Sequence, residues 1–208
     1  MPDDFQPEPL TLDRNTLAEI GAVASRGFYD DPFFQFLWPQ PMLRARGIGL
    51  FMRGAVGALG ERAVATGVRD KAGNLLGVSV WQKPGTRPLP VTDQIKQMGG
   101  GLRALVVRPR GLIDGARYLL AVEKAHLHDE HWYLLLLVTD PTVWRRGVGT
   151  ALLNPRLEVA DEDGLPCYLE TQKYDNIAYY RRFGFDLADT LTPVSDGPPL
   201  YTMVRPAR

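Results

Sequence analysis

Along the chain, stretches with apolar residues three and four apart alternate with short, nearly continuous apolar runs. That rhythm predicts helices interleaved with strands. "PLTLD" at 9–13 reads as a first strand. In "TLAEIGAVASRGF", Leu17, Ile20, Ala24 and Phe28 recur at helical spacing, and Thr16 and Glu19 stand where a capping box would open the helix. "YDDPFFQFLWPQP" is aromatic and broken by prolines, which predicts an irregular segment or a short helix. "MLRARGIGLFMRGAVGAL" predicts a helix weakened by its glycines. Residues 62–68 and 75–82 predict two strands, and "RDKAGN" between them has hairpin-turn chemistry. After a loop, "KPGTRPLP", residues 91–126 read as two helices broken near "RPRG". "WYLLLLV" then predicts a buried strand, 147–163 a helix, "PCYLET" a second buried strand and "NIAYYRRF" a short helix. "FDLADTL" and "PLYTMV" predict closing strands. The expected fold is α/β, one domain over 1–208 with a mixed central sheet flanked by helices.

Composition narrows the classes. A chain of 208 residues can build one core without staples. Its 24 Lys and Arg balance 24 Asp and Glu, which argues against a nucleic-acid partner held through phosphate contacts. The single cysteine, Cys167, has no mate for an internal disulfide, which points to a reducing compartment. "MPDDFQPEPL" lacks the basic-then-apolar order of a signal peptide, and the apolar run 132–138 is far too short to cross a bilayer. The expectation is a cytoplasmic protein with no membrane partner; a homodimer is left open.

The stretch "VTDPTVWRRGVGTALL" (138–153) places two arginines and two glycines between a strand and a helix. A helix N-terminus leaves about four amide groups without partners, at the positive end of the helix dipole. Glycines let an anion approach that backbone, and Arg145 and Arg146 add charge, so the turn suits a phosphate or pyrophosphate. A dinucleotide fingerprint would want a third glycine where Leu152 stands and an early position in the chain, although Glu170 at the end of the next strand keeps that reading open. A nucleoside-triphosphate loop is excluded, because no lysine followed by Ser or Thr ends the glycine run.

The order "LLVTDP", "RRGVGT", "LET" and "YYRRFGF", over about 131–186, resembles the GNAT superfamily of acyl-CoA-dependent N-acetyltransferases. Within it, "HWYL", "ALLNPRLEVADEDGLPCYLET" with its mid-helix Pro155, and "NIAYYRRFGF" look most like the puromycin N-acetyltransferase group. The resemblance implies a splayed pair of parallel strands with acetyl-CoA as cosubstrate. Leu137, Val138 and Thr139 would hydrogen-bond the pantetheine through their backbone. The amides of Arg145, Arg146, Gly147, Val148, Gly149 and Thr150 would cradle the pyrophosphate, and Asn176 would add a contact. Residues 131–208 would form the acetyl-CoA core and closing strands, and 1–130 mostly the acceptor side. The resemblance departs at Trp144, where the family often carries Gln or Arg, and at Asn176, which is only four residues before Tyr180.

The implied reaction is N-acetylation of a small-molecule primary amine, by direct attack in a ternary complex. Amine attack on a thioester needs a proton acceptor at the amine and a proton donor at the leaving sulfur. Tyr180 matches the family's donor, and Glu170 at its strand end is the candidate base, with Asp30, Asp31 and Glu123 as alternatives. The Val138 amide is a candidate oxyanion donor. His126, His128 and His131 read as a solvated loop without a metal, and Cys167 as a small hydrophobe in its strand. Phe28, Tyr29, Phe33, Phe34, Phe36 and Trp38 are candidates for an acceptor-pocket wall. Rival functions are a protein or peptide amine acetyltransferase, a non-catalytic acyl-CoA sensor and a nucleotide-binding oxidoreductase.

Overall fold

A computed structural model describes residues 5–86 and 109–208. The elements run β1 (Glu8–Leu10), α1 (Arg14–Gly27), α2 (Pro32–Leu37), α3 (Pro41–Leu59), β2 (Ala63–Arg69), β3 (Leu75–Gln82), α4 (Pro109–Ala125), β4 (Trp132–Thr139), α5 (Val148–Glu162), β5 (Cys167–Thr171), α6 (Tyr174–Arg181), β6 (Asp186–Leu191) and β7 (Leu200–Arg205). The expected α/β fold is present, with a seven-stranded mixed sheet in the order β1-β2-β3-β4-β5-β7-β6. β4 and β5 pair in parallel, and every other described neighbour pair is antiparallel. The first of the two helices expected in 91–126, and residues 87–90 of the expected loop, lie outside the described residues. Among the described residues, no helix is long and apolar enough to cross a membrane.

The strand predicted from "WYLLLLV" forms, but it is not buried on both faces. Buried and half-buried residues alternate along β4. Its buried residues also divide between two cores. Trp132 and Leu134 pack with Leu153 and Leu157 of α5, whereas Leu136 and Val138 pack with Ile20, Val23 and Ala24 of α1. Strict alternation would hold all four on one face. The register explains the switch: Trp81 faces Leu134 and Val80 faces Leu136, so Leu135 is an extra residue in β4. A bulge of this kind flips the phase of every following side chain and sharpens the local twist.

Helix α1 starts two residues before the expected Thr16, and its cap is Asp13, whose carboxylate accepts from the Thr16 amide at 2.8 Å. Aspartate ranks above threonine as an N-cap residue. Glu19 does not close a capping box but pairs with Arg69 at 2.7 Å. The predicted stripe does face inward: Ile20 and Ala24 are fully buried, with Leu17 and Phe28 packed against the same core. Arg26, in the last turn of α1, reaches Asp140 just past β4 and ties the helix to the strand end.

Candidate active site

The bulge at Leu135 falls where the sheet forks. β4 and β5 pair only over Trp132↔Cys167, Tyr133↔Tyr168 and Leu134↔Leu169. Beyond that, β4 continues along β3 while β5 continues along β7, with Glu170 opposite Thr202 and Thr171 opposite Tyr201. From Leu135 onward, the β4 edge facing β5 therefore has no strand partner among the described residues, and its peptide groups are open to a ligand. Beside the fork lies a cavity of about 200 Å³. Phe28, Phe33, Phe34 and Phe51 wall it on the helical side, Leu135 and Leu137 on β4. Glu170, Asn176 and Tyr180 line it as well, so the two candidate catalytic side chains meet at one space. Of the six aromatic candidates, Phe28, Phe33 and Phe34 reach this wall. Trp38 instead stacks on Phe34 in the core at 5.9 Å between ring centres, and Tyr29 lies under the Arg44 guanidinium. Phe51 is a wall residue that helical spacing alone does not single out; it lines the cavity from α3 together with Met52, Ala55, Ala58 and Leu59.

After β4, Asp140 caps a tight turn by accepting from the Thr142 amide at 3.0 Å. The chain then passes Arg145 at φ 63 and Gly147 at φ 93, both left-handed, before α5 begins. A positive φ is rare outside glycine, and at Arg145 it marks backbone held against its preference. Arg145, Arg146 and Gly147 are exposed. The Arg146 amide is spent on the Val143 carbonyl at 3.3 Å, while the first turn of α5, Val148, Gly149 and Thr150, presents the usual orphan amides. At Gly149 a β-carbon would sit 2.5 Å from the Tyr179 hydroxyl, so a side chain there would displace the end of that ring. The Trp144 indole donates to the Thr139 carbonyl at 3.1 Å, which occupies one of the backbone groups expected to be open along β4. Val138 points its side chain into the α1 core. A β-carbon at Gly147 meets nothing, so Gly147→Ala isolates the backbone cost. It is expected to lower unfolding free energy by about 1–2 kcal/mol, measured by urea denaturation.

The titratable groups at the fork have distinct settings. Tyr180 is buried, and burial, with a smaller push from Tyr179, raises its phenol well above the ordinary range. It therefore holds its proton throughout the neutral range. The Glu170 side chain is only 6% exposed, and its Oε1 finds no hydrogen-bond partner among the described residues. The nearest cation-forming group is His126, whose Nδ1 lies 3.7 Å away. The phenols of Tyr133 and Tyr168 flank the carboxylate; burial first, then the Glu170 charge, pushes both upward. Asn176 donates to the Thr171 hydroxyl at 2.8 Å, which fixes it on the fork side of α6. Of the alternative bases, Asp30 is exposed, while Asp31 and Glu123 line the cavity.

Two further expectations need comment. Cys167 is fully buried, and burial pushes its thiol up to about 12, as suits a small core hydrophobe. The histidines divide: residues 126–131 form a loop in which His128 is exposed as expected, but His126 is buried and lines the cavity, and His131 packs on it at 4.9 Å between ring centres. No signal in one sequence distinguishes a histidine ending a helix under the sheet from one in a loop. Among the described residues, no cluster of three metal-ligating side chains occurs.

Asp31 caps α2 by accepting from the Phe33 amide at 3.0 Å. Its burial raises the carboxyl above the ordinary value, with the Phe33 amide and Lys173 partly offsetting this. An acid raised on folding favours the unfolded chain as pH climbs past its unfolded value of 3.8. Asparagine also caps helices. Asp31→Asn is therefore expected to match the parent in thermal stability below about pH 3 and to exceed it by a few degrees at neutral pH, in melting curves across that range.

The profile of the acetyltransferase (GNAT) family matches residues 103–185, the segment holding β4, the glycine turn, β5 and α6. An uncharacterized N-acetyltransferase of Schizosaccharomyces pombe is 26% identical over 155 residues, 68% of this chain and 61% of that relative. The match thus spans about three fifths of the relative's length. Among solved structures, a histone acetyltransferase HPA2 and related acetyltransferase from Corynebacterium glutamicum superposes with a TM-score of 0.68 at 22% identity, covering 98% of this chain and 97% of that one. Arylalkylamine N-acetyltransferase 2 from Aedes aegypti gives 0.59 at 10% identity, covering 99% and 100%. At such identities these two show the fold. The family profile falls on the segment that forms the fork and the glycine turn, the curated relative is named an N-acetyltransferase, and the two solved structures share the fold.

Proposed function

We propose that this protein is an N-acetyltransferase that moves an acetyl group from acetyl-CoA to the primary amine of a small molecule, by direct attack in a ternary complex. The observation that carries the reading is the apolar cavity at the strand fork, which Glu170 and Tyr180 both line. In this reading the unpaired edge of β4, at Leu137 and the Thr139 amide, holds the pantetheine, while the Val138 peptide is turned to Val78 of β3. The α5 amides of Gly147, Val148, Gly149 and Thr150 hold the pyrophosphate, with Arg145 and Arg146 supplying charge. Asn176 positions Thr171 at the same mouth.

The chemistry follows from the groups present. Glu170 takes a proton from the substrate ammonium, which frees the nitrogen lone pair. The nitrogen attacks the thioester carbonyl, and an amide on the open edge of β4 donates to the oxygen as negative charge develops there; the Val138 amide, the candidate from the sequence, is turned toward Val78 of β3. The carbon–sulfur bond breaks, and Tyr180 gives its phenolic proton to the leaving sulfur. The attacking nitrogen loses its second proton, which restores the Tyr180 phenol, the product amide departs, and Glu170 discharges its proton.

Aromatic walls and a volume of about 200 Å³ favour a compact amine with an apolar body over an extended peptide, which would want an open acidic groove. The likeness to the puromycin N-acetyltransferase group covers the acetyl-CoA side, so the acceptor is chosen by the helical side and need not be an aminonucleoside. A cytoplasmic setting accords with the lone cysteine. Calorimetry with acetyl-CoA, paired with free-thiol detection across an amine panel that includes aminonucleosides, tests the reading. Saturable binding with amine-dependent thiol release is expected. No saturable binding would overturn it, and binding without release to any amine would favour an acyl-CoA sensor.

A further inference from the structure

A second recess of about 270 Å³ opens beside residues 126–131. Three residues line both it and the fork cavity: Gln82, His126 and Tyr133. His126 is thus a wall between them. Its Nδ1 side faces Glu170 Oε1 at 3.7 Å, and its Nε2 lies 3.2 Å from His131 Nε2. The His131 Nδ1 lies 2.6 Å from the Asp129 carbonyl.

Hydrogen-bond roles follow from the far end inward. A carbonyl oxygen only accepts, so His131 carries its hydrogen on Nδ1 and offers a lone pair at Nε2. His126 must then donate from Nε2, which leaves its Nδ1 as a lone pair aimed at Glu170. A proton that Glu170 takes up therefore lies beside a lone pair that can receive it. Burial, with a smaller push from His126 and against the Asp129 carbonyl and Glu170, lowers the affinity of His131 for a second proton, so a proton that reaches its Nε2 is readily passed on. The His126 ring is gripped edge-on by Tyr133 and Tyr168, at 4.7 and 5.1 Å between ring centres. The Tyr168 hydroxyl is in turn anchored to the Ala125 carbonyl at 3.0 Å.

We propose that His126 and His131 form a proton relay that carries the proton taken up by Glu170 from the buried cavity to the outer recess. The proposal rests on the acetyltransferase reading above. In the relay, the Glu170 O–H bond breaks as His126 Nδ1–H forms. The His126 Nε2–H bond breaks as His131 Nε2–H forms, and the His131 imidazolium releases a proton to water. Only protons move, and the His126 tautomer resets by exchange with water from the recess. The 3.7 Å gap closes through one water or a small side-chain shift, as catalytic hydrogen bonds often tighten on substrate binding. The other ionisable groups that face the pair are Glu123 from α4, Tyr133 from β4, Tyr168 from β5, and Asp129, Glu130 and Lys83 around the recess.

Two measurements test it. With an accepted amine, His126→Gln is expected to lower kcat about tenfold to hundredfold with KM within about twofold. His126→Gly is expected to regain activity as imidazole is added, which a purely structural histidine would not show. Wild-type turnover in His126→Gln, or a loss in His126→Gly that no concentration of imidazole relieves, overturns the relay. Independently of any activity, nitrogen-15 spectra of the histidine rings are expected to show His131 as its Nδ1–H tautomer. They are also expected to show the His126 nitrogens shifting in Glu170→Gln. His131 as the Nε2–H tautomer, or His126 signals indifferent to Glu170, would defeat the relay. Failure of every amine with these ring signatures intact would count against the acetyltransferase reading instead.

Discussion

Tyr180→Phe is expected to lower turnover about a hundredfold to ten-thousandfold while leaving affinity for acetyl-CoA within about threefold, the pattern of a lost general acid. The substitution is clean because the ring does separate work. Tyr180 sits in the core between Ile177 and Phe185, with its ring 5.9 Å from that of Phe185 and 5.3 Å from that of Tyr179. Phenylalanine keeps those contacts, whereas alanine would open a cavity and cost several kcal/mol, roughly 3–5. The pH profile adds a second reading. Burial holds the phenol protonated far above neutrality, so the donor is loaded at every pH from 6 to about 9. The loss in Tyr180→Phe should then be uniform across that range. Thiol release at saturating acetyl-CoA and amine measures turnover, and calorimetry measures affinity. Unchanged turnover would return Tyr180 to a packing role.

What the chain discloses on its own, and what it withholds, divides along a physical line. The glycine turn was legible because its requirements are local: a positive φ at Gly147 and a crowded β-carbon position at Gly149 are conditions that glycine answers directly. The order of helices and strands was legible too, since apolar periodicity records which face is covered. The bulge at Leu135 was not. "WYLLLLV" is apolar at every position, so nothing in it marks where the alternation changes phase, and the switch is set by pairing with Trp81 and Val80 on another strand. The cap of α1 was misplaced because Asp13 and Thr16 are both good cap residues, and the choice depends on where the chain leaves β1. The pairing of Glu170 with His126 joins residues 44 apart, on β5 and just past α4, which only the folded chain brings together. Trp144 departs visibly from the family pattern in sequence, but its hydrogen bond to Thr139 follows only from the turn's geometry.

The other large effect concerns Glu170, and it is tied to the same fork. Glu170 is the first residue of β5 beyond the last β4 pair, Leu134↔Leu169, so its side chain emerges where the two strands separate. Glu170→Gln preserves shape and strand pairing but removes the ability to accept a proton. Turnover at pH 7 is expected to fall about a hundredfold. The loss should shrink as pH approaches that of the substrate ammonium, roughly 10 for an alkylamine, because solution then supplies the free base that the carboxylate otherwise generates. Stability offers a control. A buried carboxylate oxygen without a partner costs free energy on folding, and a neutral amide costs less. The variant should therefore melt no lower than the parent, and lost activity cannot be ascribed to unfolding. A deficit that stays flat from pH 7 to about 10 would remove Glu170 as the base. Asp31 and Glu123, the other carboxylates on the cavity wall, would then be the groups to substitute next.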